Sequence, residues 1–239
     1  MGKRPPFGVG KWARRCLSRA GSSLQSRNGR ISGRKIVGRR EAGKCVCRRR
    51  HFDEQGRVLL ESARAAIADY RPVDPRERGY QERMLELLGL SAPTSRHHFV
   101  PGHLTASAFV LSPKRDAVLL ILHKKLRLWL QPGGHIEASD QSLAAAARRE
   151  VAEEVGLRLP PEAAGAVFDL DIHLIPARKD EPAHEHFDVR FCFQAPTLDF
   201  ATNDEVVEAR WAPLDQIDQL TTDESVLRVA RKLAAPNQG

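Results

Sequence analysis

The sequence predicts an α+β domain with a mixed β-sheet, preceded by a short helical segment and a basic leader. Three observations support this prediction: apolar stretches of strand length, helical periodicities between them, and the absence of regular strand-helix alternation. Hydrophobic residues make up 41% of the 239 residues and charged residues 28%, a balance typical of globular domains. No apolar run reaches the roughly 18 residues that a membrane-spanning helix needs.

Residues 1–50 form a leader whose charge differs from that of the remaining chain. They hold sixteen Lys or Arg and one acid, Glu41, a net charge of +15. Since the whole chain carries +8, the other 189 residues carry −7. The leader is rich in Gly, Ser and Arg and lacks apolar periodicity, so we expect it to be disordered alone. The basic character of the chain therefore belongs to the leader.

Three interpretations of the leader stay open. It could be an arm that binds nucleic acid, an organelle transit peptide, since it is Arg-rich and poor in acids, or a stretch translated from upstream of the true start codon. Cys45 and Cys47 form a C-x-C pair that supplies only two of the four ligands zinc usually takes. The four cysteines are too few and too uneven for a disulfide framework, so we expect a reducing, cytoplasmic location.

The folded part begins with two predicted helices and a hairpin. Apolar residues recur at helical spacing in "VLLESARAAIADY", before Pro72, and again in "PRERGYQERMLELLGL". We interpret residues 51–95 as a helical preface to a domain of residues 96–239. The remaining predicted elements are a hairpin of strands 103–112 and 117–124, a helix over 142–155, strands over 166–176 and 187–195, a strand over 209–217 that enters a helix near Leu214, and a closing helix over 223–235.

Three glutamates crowd the end of the helix predicted over 142–155. Glu150, Glu153 and Glu154 stand at i, i+3 and i+4, so their carboxylates project from one face. Each like-charged pair costs roughly 0.2–0.5 kcal/mol, and each acid in the last turn costs roughly 0.3–1 kcal/mol more through the helix dipole. Arg149 offsets part of this cost by pairing with Glu153 at i+4. The sum stays unfavourable for an isolated helix.

A divalent cation would reverse the sign of this charge crowding. Three convergent carboxylates, with backbone carbonyls of the Gly133-Gly134 turn and waters, match the oxygen ligands that Mg²⁺ and Mn²⁺ prefer. Glycines let the backbone approach an ion or a phosphate, since no Cβ intervenes. An acidic solvated helix face is the alternative for the glutamates taken alone. The ordered series Gly-Gly, helix, Arg-Glu-x-x-Glu-Glu, Gly is far more restrictive and favours the metal site.

This series resembles the signature of the Nudix hydrolases: Gly, five residues, Glu, seven residues, Arg-Glu, an apolar residue, any residue, Glu-Glu, any residue, Gly, an apolar residue. The match runs from Gly134 through Arg149-Glu150 to Leu157, and looser similarity covers about 103–220. In one departure, fourteen residues rather than thirteen separate Gly134 from Arg149, and Asp140 stands where the family has Glu. We expect the extra residue in the loop before the helix, with Asp140 substituting for the Glu or capping the helix.

The resemblance implies a Nudix-type α/β/α sandwich and a hydrolase that cleaves the diphosphate linkage of a nucleoside diphosphate derivative, namely a nucleotide, nucleotide sugar or dinucleotide. It implies Mg²⁺ or Mn²⁺ as cofactor, activating a water for attack at phosphorus. The implied metal ligands are Glu150, Glu153, Glu154 and the carbonyl of Gly133. The implied catalytic residues are Glu153, Glu154 and Arg149, to which we add Glu185 from its predicted position in the chain. The candidate substrate-binding residues are Gly134 and Asp140 of the signature and His135, which follows Gly134 directly and could reach a phosphate.

The general base is the least determined of these assignments, because Nudix enzymes recruit it from the signature helix or from a loop outside it. Glu185, in a loop predicted over 179–188, is the candidate from outside, with Glu181 and Asp188 behind it. His184 and His186 flank Glu185 and could recognise phosphate or base. Solvation is the more common state of loop histidines.

Two further functions stay open beside hydrolysis. The first is a non-catalytic Nudix-fold module that binds a nucleotide metabolite or RNA. The second is diphosphate isomerisation on the same fold, although Cys192 reads as a small buried apolar residue rather than a catalytic thiol. The expected partner is a small phosphorylated molecule; no membrane partner is expected, nucleic acid would bind only through the leader, and a homodimer is left open.

Overall fold

The structure, a computed structural model, describes residues 54–161, 166–203 and 206–235. The predicted leader lies outside the described residues. None of the helices in the described part of the chain has the length and hydropathy to span a bilayer. The elements are α1 (Glu54–Asp69), α2 (Pro75–Leu87), β1 (Gly102–Leu111), β2 (Ala117–His123), β3 (Trp129–Leu130), β4 (Gly133–His135), α3 (Leu143–Val155), β5 (Val167–Ile175), β6 (His184–Gln194), β7 (Val206–Pro213), a 3-10 helix (Ile217–Gln219) and α4 (Glu224–Ala234).

The strands form one mixed sheet with the order β3-β2-β1-β6-β5, in which β4 also pairs with β1 and β7 with β2. β1 and β6 are parallel along their length, from Gly102 opposite Glu185 to Leu111 opposite Gln194. The remaining pairings are antiparallel, including the β1–β2 hairpin. The mixed sheet predicted from the sequence is confirmed.

Helices cover both faces of the sheet and give two hydrophobic clusters. Alternate residues of β1, such as Leu104 and Ala106, pack with α1, α2 and α3 on one face. Phe109 points to the other face and belongs to a smaller cluster with Val226 and Val229 of α4. The sandwich therefore has its sheet in the middle layer, and the two N-terminal helices share a core with it.

Two predicted elements differ from the structure. β6 begins at His184, not at residue 187, so Glu185 lies in a strand and not in a loop. The reason is the pairing with β1, where a Cβ on Gly102 would lie 1.8 Å from the Glu185 carbonyl oxygen, so only glycine permits this approach. After β7, the chain forms the 3-10 helix Ile217–Gln219, whereas the sequence predicted a helix that begins near Leu214.

A buried network of charges joins the sheet to α4 and α2. Arg190, 2% exposed, donates from Nε to Asp188 Oδ2 at 2.9 Å and also pairs with Asp169. From α4, Arg228 Nη2 and Lys232 Nζ reach the two carboxylate oxygens of Asp169, each at 2.6 Å. Lys232 also pairs with Glu77 of α2, whose carboxylate accepts from the Tyr70 hydroxyl at 2.6 Å. Ion pairs therefore connect helices that lie in different layers.

Asp171 adds a pH-dependent part to this network. Burial alone would raise its pKa, but Arg190, His173 and Arg228 outweigh burial and hold the pKa below its ordinary value of 3.8. Because the folded-state pKa lies below the unfolded one, this stabilisation is present above about pH 4 and is lost as the pH falls below it. We expect Asp171→Asn to be less stable at pH 7 and to lose less further stability between about pH 4 and 2 than the parent.

Urea unfolding at a series of pH values measures this effect. Asp180→Asn, at an exposed position, is the matched control and should follow the parent at every pH. If Asp171→Asn and the parent lost stability in parallel below pH 4, Asp171 would have no part in the acid transition.

Candidate functional site

Helix α3 carries the predicted glutamates, and its two ends are set by specific residues. The Ser142 hydroxyl caps the first turn by accepting from the Ala145 amide at 3.1 Å. Gly156 ends the helix with a φ of 63°, a left-handed conformation that suits glycine. Ser142, and not Asp140, is therefore the N-cap. The buried face of α3 consists of Leu143, Ala146, Ala147, Val151 and Val155.

Arg149 is the centre of the hydrogen-bond network on the open face of α3. Its Nη1 donates to Glu150 Oε1 at 2.9 Å and to Glu153 Oε2 at 3.0 Å, so the predicted i,i+4 pair is present. Its Nη2 donates to the His135 carbonyl at 2.8 Å, which joins the helix to β4. Arg149 therefore orients two of the three glutamates and does not project freely into solvent.

Asp140 holds the other side of the Arg149 guanidinium. Its Oδ1 and Oδ2 accept from Nε and Nη2 at 3.1 and 3.0 Å, a bidentate pair with fixed geometry. Asp140 is only 5% exposed, and its Oδ2 also accepts from the Glu137 amide at 2.8 Å. Asp140 thus contacts Arg149 from the loop, and the extra residue of the signature lies between it and the helix.

The two glycines of β4 bring the backbone against the glutamates. The Gly133 amide donates to Glu154 Oε2 at 3.1 Å. A Cβ on Gly134 would lie 2.6 Å from Glu150 Oε1, and a Cβ on Gly133 would lie 2.3 Å from the Ser107 Cβ. Neither position accepts a side chain without displacement, so Gly134 sets the approach of β4 to α3 and Gly133 its approach to β1.

The chemistry of these residues fits a hard divalent cation. Burial raises the pKa of Glu150, Arg149 opposes this shift, and Glu153 adds to it. Carboxylates that are partly desolvated beside like charges are stabilised in their ionised form by a cation. The Glu150 side chain is 15% exposed and that of Glu153 is 52% exposed, so an ion can reach them from solvent.

The spacing of the glutamates requires some rearrangement for joint binding. Among the described residues, only His103, His184 and His186 form a group of three whose ligand atoms all lie within 4.8 Å of one another. The glutamates do not meet this condition in the structure, in which Arg149 Nη1 lies between Glu150 and Glu153.

Glu185, the base candidate, lies on the α2 side of the sheet. Its carboxylate pairs with Arg83 of α2, and its backbone amide donates to the Pro101 carbonyl at 3.0 Å. Asp188, named behind it, is buried and accepts from the hydroxyls of Thr105 and Ser107. The structure therefore brings Asp140, Arg149 and the α3 glutamates together, while Glu185 is held by a different helix.

Five histidines form a group that the sequence did not predict. We define the histidine cluster as His103, His135, His173, His184 and His186, with neighbouring ring centroids 4.8–5.5 Å apart. The expectation that His184 is a solvated loop residue is wrong, because it is 4% exposed and begins β6. Burial lowers the pKa of His103 to about 4 and that of His186 to about 2, so both rings are neutral at pH 7.

Cys192 lies in β6, as expected, but is only partly buried. Burial raises its pKa to about 11. A thiol with this pKa is almost entirely protonated at neutral pH and is a poor nucleophile. This observation disfavours isomerisation chemistry that would depend on a reactive cysteine.

Comparisons with known proteins agree with the signature. None of the curated proteins matches this chain significantly. A Nudix hydrolase from Clostridium perfringens shares 25% identity over 58% of this chain and 96% of its own, with a TM-score of 0.42. The NUDIX domain of Shewanella oneidensis NrtR, complexed with ADP ribose, shares 20% over 72% and 97%, with a TM-score of 0.43. A C. elegans Ap4A hydrolase shares 16% over 55% and 94%, with a TM-score of 0.41.

Family membership rests on the match to the family model and not on these three structures, whose TM-scores are low. The model of the NUDIX domain matches residues 101–233. This range is more than half of the chain and includes the whole of α3 with its Arg-Glu-x-x-Glu-Glu series. The chain therefore belongs to the Nudix family.

Proposed function

We propose that the protein hydrolyses the diphosphate linkage of a nucleoside diphosphate derivative with Mg²⁺ or Mn²⁺ held by Glu150, Glu153 and Glu154 and the Gly133 carbonyl. One observation carries this proposal: the three carboxylates share one face of α3 beside the Gly-Gly turn, where Glu154 accepts from the Gly133 amide, Glu150 abuts Gly134, and Arg149 links Glu150 to Glu153. Hard oxygen donors in this number are the ligands that these ions prefer.

The bound ion would neutralise phosphate charge and lower the pKa of a coordinated water. The residues of the chain position the reactants. Arg149 holds Glu150 and Glu153 in one orientation, and Gly134, lacking a side chain, lets β4 lie directly against the Glu150 carboxylate. Gly134 and His135 are the candidates for substrate contact, through the backbone of β4.

Asp140 belongs to the proposed site as the residue that positions Arg149. We expect Asp140→Asn to lower kcat by about 10–100-fold, because substitutions of residues that orient metal ligands have effects of this size. The amide cannot accept two charge-assisted bonds from Arg149. Steady-state kinetics with Mg²⁺ measures the effect.

Asp140→Glu is the matched control, because it keeps the charge and restores the residue found at this position of the family signature. It should retain most of the activity. Equal activity of Asp140→Asn and the parent would remove Asp140 from the site.

Glu185 remains the proposed general base, and its ion pair with Arg83 offers a direct test. If Glu185 accepts the proton of the attacking water, Glu185→Gln should lower kcat by about 10²–10⁴-fold. The acidic limb of the pH–rate profile should disappear with it. Arg83→Gln breaks the same ion pair but keeps the carboxylate, so it should retain kcat within a few fold.

Equal losses in the two variants would show that Glu185 acts only through its pairing with α2. Normal activity of Glu185→Gln would show that Glu185 is not the general base and that the base lies on the signature helix.

A substrate screen tests the overall proposal. Nucleotides, dinucleotides, nucleotide sugars and other diphosphate-linked alcohols are incubated with Mg²⁺ and, separately, with Mn²⁺, and phosphate-containing products are quantified. Turnover of at least one nucleoside diphosphate derivative, dependent on added metal, is the expected result. Absence of turnover over the whole set would contradict the proposal.

Three wider proposals concern the setting of the domain. The few, unevenly placed cysteines favour a cytoplasmic location. The strongly basic residues 1–50 favour nucleic acid as a partner, bound by the leader only. Residues 51–95 form the proposed helical preface to a domain of residues 96–239. A homodimer is a candidate assembly, which light scattering of the purified chain would test.

A further inference from the structure

His103 has a ring nitrogen that the fold leaves without a partner. It is fully buried, and its Nδ1 lies 3.1 Å from the His98 carbonyl oxygen. Since a carbonyl only accepts, Nδ1 carries the proton and Nε2 carries the lone pair. This Nε2 is buried and has no hydrogen-bond partner among the described residues. A buried acceptor in this state is costly unless something binds to it.

His184 is fixed in the same way. Its Nδ1 lies 2.8 Å from the Pro182 carbonyl oxygen, so Nδ1 donates and Nε2 presents a lone pair. Backbone carbonyls that fix one ring nitrogen in this manner are typical of histidines whose other nitrogen ligates a metal. His103 of β1 and His184 of β6 thus both have Nδ1 fixed by a backbone carbonyl, which leaves Nε2 free to ligate. Packing of the rings alone does not require this arrangement.

The third member, His186, completes a group with the spacing of a metal site. His186 lies opposite His103 in the parallel pairing of β6 with β1, and His184 lies two residues before it on the same face of β6. One ligand nitrogen of each of His103, His184 and His186 lies within 4.8 Å of the others. A tetrahedral ion with Zn–N bonds of about 2.1 Å separates its ligands by about 3.4 Å. Small side-chain rotations would bring the three nitrogens from within 4.8 Å of one another to this ligand separation.

We propose that His103, His184 and His186 bind one divalent transition-metal ion of the Zn²⁺ class. Neutral imidazoles suit zinc, copper and nickel, whereas Mg²⁺ and Mn²⁺ prefer oxygen ligands. Three protein ligands leave a fourth tetrahedral position for water or an anionic oxygen.

This ion would be separate from the one at the glutamates. β4 lies between the two groups: the Cβ position of Gly134 faces Glu150, while the next residue, His135, directs its ring to within 5.1 Å of the His103 ring. Adjacent residues of one strand point to opposite faces, so the histidine cluster and the α3 glutamates occupy opposite sides of β4. The proposal does not depend on hydrolysis.

Metal titration of the full chain tests the proposal. The chain carries Cys16→Ser, Cys45→Ser and Cys47→Ser to remove the leader thiols, is stripped with a chelator, and is titrated with Zn²⁺ by calorimetry. We expect one zinc ion per chain with tight affinity, weakened at least 100-fold in His103→Gln and in His184→Gln. With Zn²⁺ at 100 times its Kd, the melting temperature should rise by about 5–10 °C.

Two control variants separate this site from other groups. His123→Gln changes a histidine outside the cluster and should leave zinc affinity unchanged. Glu154→Gln removes a proposed magnesium ligand and should also leave the zinc affinity unchanged. This result would distinguish the zinc site from the magnesium site. Zinc affinity that falls with Glu154→Gln but not with the cluster variants would overturn the proposal.

Cobalt spectroscopy tests the site without any histidine variant, so it stays informative if those variants fail to fold. It uses the chain in which the three leader cysteines are replaced by serine and all histidines are kept. Co²⁺ in place of Zn²⁺ should give the visible bands of a tetrahedral site, and X-ray absorption should show imidazole scattering. Octahedral spectra with oxygen ligands alone would contradict the proposal even if every histidine variant were unfolded.

Discussion

Glu154→Gln should lower kcat/KM for a nucleoside diphosphate substrate by about 10³-fold, because it removes one charge from the proposed metal site. Loss of a few kcal/mol of charge stabilisation at the reacting phosphate corresponds to a factor of this size. The fold should persist, since the glutamine side-chain oxygen can still accept from the Gly133 amide, as Glu154 Oε2 does at 3.1 Å. Steady-state kinetics over a range of Mg²⁺ concentrations measures the loss.

Glu208→Gln is the matched control, because it makes the same chemical change at an exposed position of β7. Its kinetics should match those of the parent, and both variants should melt at similar temperatures. Full activity of Glu154→Gln would remove the carboxylate from the reaction and would leave the family signature without a catalytic role in this chain.

Asp169→Ala should lower the free energy of unfolding by about 3–5 kcal/mol, the usual cost of removing one partner from a buried ion network. Asp169 is fully buried and accepts from both Arg228 and Lys232 of α4. Without its carboxylate, these two cations keep only their other partners and remain in a desolvated layer. Urea unfolding at neutral pH, followed by circular dichroism, measures the change.

Asp180→Ala provides the comparison for Asp169→Ala, because position 180 is exposed and its substitution should change stability by less than about 0.5 kcal/mol. A loss below about 1 kcal/mol in Asp169→Ala would mean that solvent reaches the network and screens it.

Local signals in the sequence were sufficient to predict helix α3 and the residues on its open face. An alanine-rich run closed by a glycine predicts the helix, and the structure places it at Leu143–Val155, within one residue of the prediction, although Ser142 and not Asp140 caps it. The i+4 pair of Arg149 with Glu153 follows from helical periodicity alone and is present. Features that depend on short-range spacing are therefore predictable from one sequence.

Features that depend on strand pairing were not predictable in this way. Strand propensity is low at the start of β6, at His184, Glu185 and His186. These residues lie in a strand because β1 pairs with this part of the chain. To predict the histidine cluster, one would need to know how β1, β4, β5 and β6 are aligned with one another, because its members lie on all four strands. Polar residues at alternate positions, such as Asp188 and Arg190, resemble a solvated strand face, although the structure buries both. Tertiary pairing, not local preference, decides these positions.

Strand β4 has a consequence for substitutions on either side of it. It is three residues long, yet one of its residues abuts the carboxylates of α3 and the next extends into the histidine cluster. A shift of this short strand that widens the space on one side narrows it on the other. The two sides of β4 are therefore mechanically coupled, and a substitution that displaces the strand on one side also changes the packing on the other.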